Sequence, residues 1–165
     1  MFRNYWPPAG IIFGLLLAAV ILSADLWTKR LASQYLDYGK PVFLMPFFNL
    51  TLQFNAGAAF SFLSDAGGWQ RWFFSGIAIV ISIILLVWMM RLKKEQKLLL
   101  ISLSLILSGA LGNLWDRLTL GYVIDFISLH YDHYYFPTFN VADSAISVGA
   151  VLMLLDTFLH PGEKS

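Results

Sequence analysis

The side chains of this sequence best suited to chemistry are its aspartates. Seven of them, Asp25, Asp37, Asp65, Asp116, Asp125, Asp132 and Asp143, fall in or just beyond two stretches, about 25–72 and 114–140, that separate long apolar runs. Four border apolar sequence, where a carboxylate is costly unless it has a task or a partner. Asp125 lies in Gly121-Tyr122-Val123-Ile124-Asp125-Phe126-Ile127, a β-prone run whose large apolar neighbours disfavour the charged form. Asp143 follows Phe139-Asn140-Val141-Ala142 at the opening of an apolar run, which predicts Asn140 as a helix N-cap and Asp143 as the third helical residue. Asp143 is therefore either a capping acid or one member of a pair. Two carboxyl groups brought together at a membrane surface can share a proton, the ionised one activating water and the protonated one polarising an amide carbonyl.

The remaining acids read as support. Asp25 closes the first apolar run, where a helix dipole disfavours a carboxylate by up to about 1 kcal/mol, so it calls for a hydrogen-bonding partner. Asp116 adjoins Arg117 and reads as part of an ion pair or network pinning a loop, or as the neighbour of a cation that orients substrate carbonyls. Other chemistries are poorly served. The chain has no cysteine, which excludes thiolate nucleophiles, disulfides and cysteine-based zinc sites. There is no His-Glu-x-x-His helix and no Gly-x-Ser-x-Gly elbow, and His130-Tyr131-Asp132-His133 reads as a loop with two histidines rather than a metal site. Ser23 and Lys29, six residues apart on a helix end, point in different directions and make no serine/lysine pair. An aspartyl mechanism is what remains for an enzyme.

The elements that must position these residues are membrane helices. Of 165 residues 58% are hydrophobic and only 13% charged, with mean hydropathy +0.68, whereas a soluble domain is about a quarter charged. Four apolar runs, 9–24, 73–90, 98–113 and 141–159, are each close to the roughly 20 residues that cross a bilayer. The first three contain no ionisable residue, and in the fourth Asp143 and Asp156 lie toward the ends. All six tryptophans sit at or just beyond run ends, the headgroup level that indole prefers. Four cations in the loop 91–97 mark that turn, and with it both termini, as cytoplasmic; 25–72 and 114–140 then face the periplasm. Lys29-Arg30 argues the other way without reversing the inference.

A net charge of +1 removes nucleic acid as a partner. Leu22-Ser23-Ala24 has the look of a cleavable signal, but three further spans follow and the chain is expected to stay whole as one membrane domain, 1–165. Small residues at Ser104, Ser108 and Gly112, and at Ala145 and Gly149, predict close helix approach. Residues 41–46 and 48–54 predict short strands in a small sheet on the outer membrane face.

Five ordered stretches carry a resemblance: Asp25-Leu26-Trp27-Thr28-Lys29; Asn55-Ala56-Gly57-Ala58-Ala59-Phe60-Ser61-Phe62; Gly109-Ala110-Leu111-Gly112-Asn113-Leu114-Trp115-Asp116-Arg117; Gly121 to Phe126; and Phe139 to Ser144. At these residues the chain resembles the lipoprotein signal peptidases (signal peptidase II), bacterial inner-membrane aspartyl endopeptidases. The resemblance implies four transmembrane helices, a small periplasmic β-sheet cradle and a short periplasmic helix. It implies Asp125 and Asp143 as the catalytic pair, Asn55, Gly57, Asn113, Asp116, Arg117 and Asn140 as supporting residues, and Asp25 as an acid needed for stability or activity. The substrates implied are diacylglyceryl-modified prolipoproteins, cut N-terminal to the lipidated cysteine, without metal or cofactor. Globomycin is the implied inhibitor, membrane lipid the surroundings, and a monomer the working form. The rival classes fit less well. A small ion-coupled transporter would place ionisable groups near the bilayer midplane, and the span centres here hold none; a non-catalytic membrane assembly protein would not explain polar residues gathered on one side.

Overall fold

Long apolar runs leave the helix as the main way to satisfy backbone polar groups in hydrocarbon. The structure, a computed structural model, describes residues 8–57 and 68–160; Asp65, the motif residues 58–62 and most of the loop 55–68 lie outside the described residues. Four helices form, α1 (Pro8–Tyr35), α2 (Trp69–Met89), α3 (Lys97–Thr119) and α4 (Val141–Leu159), each long and apolar enough to cross a membrane. No shorter helix occurs among the described residues. One sequence expectation needs correction: α1 does not close at Asp25 but runs ten residues further, to Tyr35. The dipole penalty expected for Asp25 therefore does not apply, because that field is confined to the last turn; the cost of this carboxylate is burial.

α3 is the central helix. In its apolar stretch 67% is buried, against 22%, 28% and 17% in α1, α2 and α4. Its Leu100, Leu103 and Leu107 form a core with Ala18 of α1 and Leu85 and Met89 of α2. The outer faces of the other helices expose Phe13, Leu16 and Val20, Val80, Ile83 and Ile84, and Val148, Val151 and Phe158, a surface suited to lipid. Small residues let the backbones close up, as expected, but they divide between two partners. Ser104 faces α1, and Gly112 sits between α1 and α4, where a Cβ would lie 2.5 Å from Asp25 Oδ2 and 3.3 Å from the Ala142 Cβ. α4 is met instead by Ser102, whose hydroxyl donates to the Gly149 carbonyl at 2.6 Å, and by Gly109, where any Cβ would strike the Ala142 carbonyl.

At one end of the bundle lies an antiparallel sheet in the order β1 (Val42–Met45), β2 (Phe48–Asn55), β3 (Val123–Tyr131), β4 (Tyr134–Tyr135). It is anchored where Leu52, Ile124 and Phe126 pack on Ala32, beyond the middle of α1, and on Leu36 just past its end. Between β2 and β3 the register moves from Leu50↔Ile127 to Gln53↔Asp125, so three steps on β2 match two on β3. An extra residue of this kind bends a strand and re-aims its side chains, and here it falls beside Asp125.

Candidate active site

Three elements bring the acids together. β3 delivers Asp125, which is buried. α4 begins at an Asn140 cap: the Asn140 side chain accepts from the Asp143 backbone N–H, and the Asp143 side chain accepts from the Asn140 N–H. This reciprocal capping box satisfies two donors that a helix start leaves free. α3 supplies Asn113, Asp116 and Arg117 from its last two turns.

Asn140 joins the two acids directly. Its Nδ2 donates to Asp125 Oδ1 at 2.7 Å, and its backbone N–H donates to Asp143 Oδ2 at 3.2 Å. Each acid has one further amide partner: Asn55 Nδ2 donates to Asp125 Oδ2 at 3.1 Å, and Asn113 Nδ2 donates to Asp143 Oδ1 at 2.7 Å. The Asn55 amide is oriented in turn by the Gly57 N–H, which donates to Asn55 Oδ1 at 2.9 Å. Gly57 makes this turn at φ +98°, and a Cβ there would lie 2.7 Å from the Phe74 ring, so only glycine fits without strain.

Burial, and then the charge of Asp143, raises the Asp125 pKa to about 7; hydrogen bonds from Asn55 and Asn140 and the charge of Lys29 pull the other way without cancelling the rise. Arg117 lies over the Phe74 ring at 5.4 Å and donates to the Asn113 carbonyl at 3.3 Å. The arrangement is a pair of carboxyl groups in different surroundings, held by amides, with a guanidinium alongside.

All nine site residues expected from the sequence gather at this end of the bundle, but Asp25 and Asp116 stand behind the pair rather than in it. Asp25 Oδ1 accepts from the Ala142 N–H at 2.8 Å, bracing the start of α4. Asp116 Oδ2 accepts from the Ile124 N–H at 3.2 Å, bracing β3. Of the two roles its place beside Arg117 suggested, Asp116 thus takes the network and not a simple pair with that arginine. Both carboxylates instead meet Lys29, at 2.8 Å from Asp25 and 3.0 Å from Asp116.

Lys29 is the residue that sequence reasoning missed. Placing the helix end at Ala24 made it a loop charge, although its spacing of four from Asp25 on one helix was the available signal. The other acids are peripheral: Asp37 pairs with Lys40 on the surface, and Asp132 lies exposed in the β3–β4 turn. His130 stacks on Tyr135 and His133 is exposed, while the Ser23 hydroxyl is spent on the Ala19 carbonyl.

A family model described as Signal peptidase (SPase) II matches residues 17–159 of the chain. The chain is 53% identical over 155 residues to the lipoprotein signal peptidase of Acinetobacter baylyi, covering 94% of this chain and 86% of that protein. Over 165 residues it is 44% identical to the lipoprotein signal peptidase of Cellvibrio japonicus, covering 100% and 94%. A solved structure described as a bacterial membrane enzyme matches the fold with a TM-score of 0.80 at 31% identity, covering 100% of this chain and 96% of that one.

Proposed function

The chain belongs to the signal peptidase II family and removes signal peptides from prolipoproteins as an aspartic peptidase, and from that premise we propose that Asp125 and Asp143 are the pair that performs the hydrolysis. The observation that carries the reading is the double contact of Asn140, whose side chain and backbone N–H each hold one of the two carboxyl groups.

With one proton between them, the pair rests with that proton on Asp125, the acid whose pKa burial raises to about 7. Asp143, accepting hydrogen bonds at both oxygens, takes a proton from water as the water oxygen bonds to the scissile carbonyl carbon. Asp125 lends its proton to the carbonyl oxygen. The tetrahedral adduct collapses when the C–N bond breaks: the proton held by Asp143 passes to the departing nitrogen, and a hydroxyl of the adduct returns a proton to Asp125 as the C=O bond re-forms. The Arg117 guanidinium, close to both acids, orients the substrate carbonyls.

The substrate is a prolipoprotein carrying diacylglycerol on its cysteine, cut on the N-terminal side of that residue. Its apolar signal segment crosses the bilayer, which puts the scissile bond near headgroup level. The tryptophans at the site end of the bundle, Trp27, Trp69, Trp72 and Trp115, are all exposed and support that level. We place this end in the periplasm of the inner membrane, with both termini in the cytoplasm, the chain acting as a monomer and globomycin competing for the site. Burial of Lys29 in the polar network removes one of the two cations that argued against this orientation.

The test is cleavage of diacylglyceryl prolipoprotein by purified variants. Asp125→Asn and Asp143→Asn should each lose about 10²–10⁴-fold in rate while keeping a cooperative thermal transition. Near-normal cleavage by either would remove that residue from the pair.

A further inference from the structure

Lys29 takes no part in the hydrolysis, yet its ammonium is buried, 1% exposed, at the hub of the network behind the pair. Its acceptors are Asp25 Oδ2 at 2.8 Å, Asp116 Oδ2 at 3.0 Å and Asn113 Oδ1 at 3.1 Å. An ammonium has three donors and no acceptor; here it donates to Asn113 Oδ1 and is flanked by the two carboxylates as ion-pair partners. Two carboxylates already more than offset the charge. The third contact goes to an amide whose other end donates to Asp143 Oδ1 at 2.7 Å.

A cation can face only the oxygen end of an amide. Lys29 therefore dictates which way Asn113 lies, since the reversed amide would set N–H groups against the ammonium and an oxygen against the Asp143 carboxylate. A second donor, Asn140 Nδ2 at 3.2 Å, meets the same Asn113 oxygen. Within this chain of hydrogen bonds each member polarises the next. The pattern repeats on the other acid, where the Gly57 N–H pins Asn55 Oδ1 so that Nδ2 faces Asp125.

We propose that Lys29 is a positioning residue for the reaction, locking the Asn113 amide so that Asn113 holds Asp143 in the orientation from which it accepts the proton of water. The proposal rests on the reading of Asp125 and Asp143 as the catalytic pair. Lys29 acts through Asn113 and touches neither acid of the pair in the contacts that hold it.

Removing one partner of a buried ion pair is strongly destabilising, whereas removing both together need not be. The test therefore exchanges Lys29→Met together with Asp25→Asn, whose amide oxygen can still accept from the Ala142 N–H. The full chain in lipid nanodiscs is assayed on diacylglyceryl prolipoprotein for kcat and KM, alongside thermal unfolding. The double variant should unfold cooperatively, lose about 100-fold in kcat and shift KM by less than about threefold, as expected for a misplaced reacting group. In an Asn113→Ala background the same exchange should lower kcat by less than about twofold further, because the coupled partner is already gone. Lys29→Gln, which keeps an N–H for Asn113, should restore part of the rate.

A kcat for the double variant within about threefold of the parent would overturn the proposal, as would an undiminished loss in the Asn113→Ala background. If none of these variants folds, Lys29 serves stability alone and the proposal is overturned as well. Retained cleavage by Asp125→Asn or Asp143→Asn would instead sink the catalytic pair itself, so the two failures are told apart.

Discussion

Asp125 and Asp143 carry the same functional group and differ in what surrounds them. Asp125 is buried on a strand and Asp143 is part of a helix cap, and a coupled pair of this kind titrates jointly. Asp125 holds its proton until pH approaches about 7, so the singly protonated pair is lost as pH rises through that value, and kcat should fall on the alkaline side. A pH–rate profile that stays flat to pH 9 would contradict this. Stability follows the same sign. The folded pKa lies above the usual carboxylate value of 3.8, so the stability that protonated Asp125 contributes is full below about pH 4 and lost as pH rises through about 7. Because the charge of Asp143 is one cause of the rise, Asp143→Asn should move the Asp125 titration to lower pH, readable as the carboxyl band in infrared spectra.

At the scale of elements, the site depends on how closely α3 approaches α4 and on one turn after β2. Gly109 meets the Ala142 carbonyl in the first turn of α4, the turn that carries Asp143. Gly109→Ala should therefore destabilise by about 1–3 kcal/mol and lower kcat as well, measured by thermal unfolding and cleavage. Gly76→Ala on α2 is the control, because nothing lies within 4 Å of its Cβ direction; it should be neutral or slightly stabilising. Gly57→Ala forces an L side chain into positive φ against Phe74, a strain of about 1–3 kcal/mol. It should slow cleavage through the loosened Asn55 amide more than it lowers the melting temperature.

Among the described residues the molecule is a bundle that exposes apolar side chains around its middle and gathers Asp25, Lys29, Asp116 and Asp125, all buried, at one end, with Asp156 toward the other. A periplasmic site requires that end to face away from the loop 91–97. A topology reporter fused after Lys97 should report cytoplasm and one inserted near His133 periplasm; the reverse result would invert the orientation.

The four helices, β1, β2, the first half of β3 and the cap at Asn140 were legible because each is written in local sequence: unbroken apolar runs, β-branched and aromatic stretches, and an Asn three residues before an Asp; His130 and Tyr131, read as loop, prolong β3, and β4 was not foreseen. The residues of the candidate site could be named from the sequence too, partly through the five motifs and partly because acids beside hydrocarbon need a reason. The end of α1 was not legible, since its last turns leave the hydrocarbon-like composition behind and are held by packing on the sheet of Ala32 and of Leu36 just past the helix end. That boundary hid Lys29. Its partners are Asn113 and Asp116, about one turn apart on α3, and Asp25 on its own helix, with a sequence separation of 84 residues from Asn113, and no local pattern records such a contact. Local rules fix which residues are apolar, capped or strand-forming; which amide faces which carboxylate is set only when α1, α3, α4 and β3 converge and every buried donor must find an acceptor.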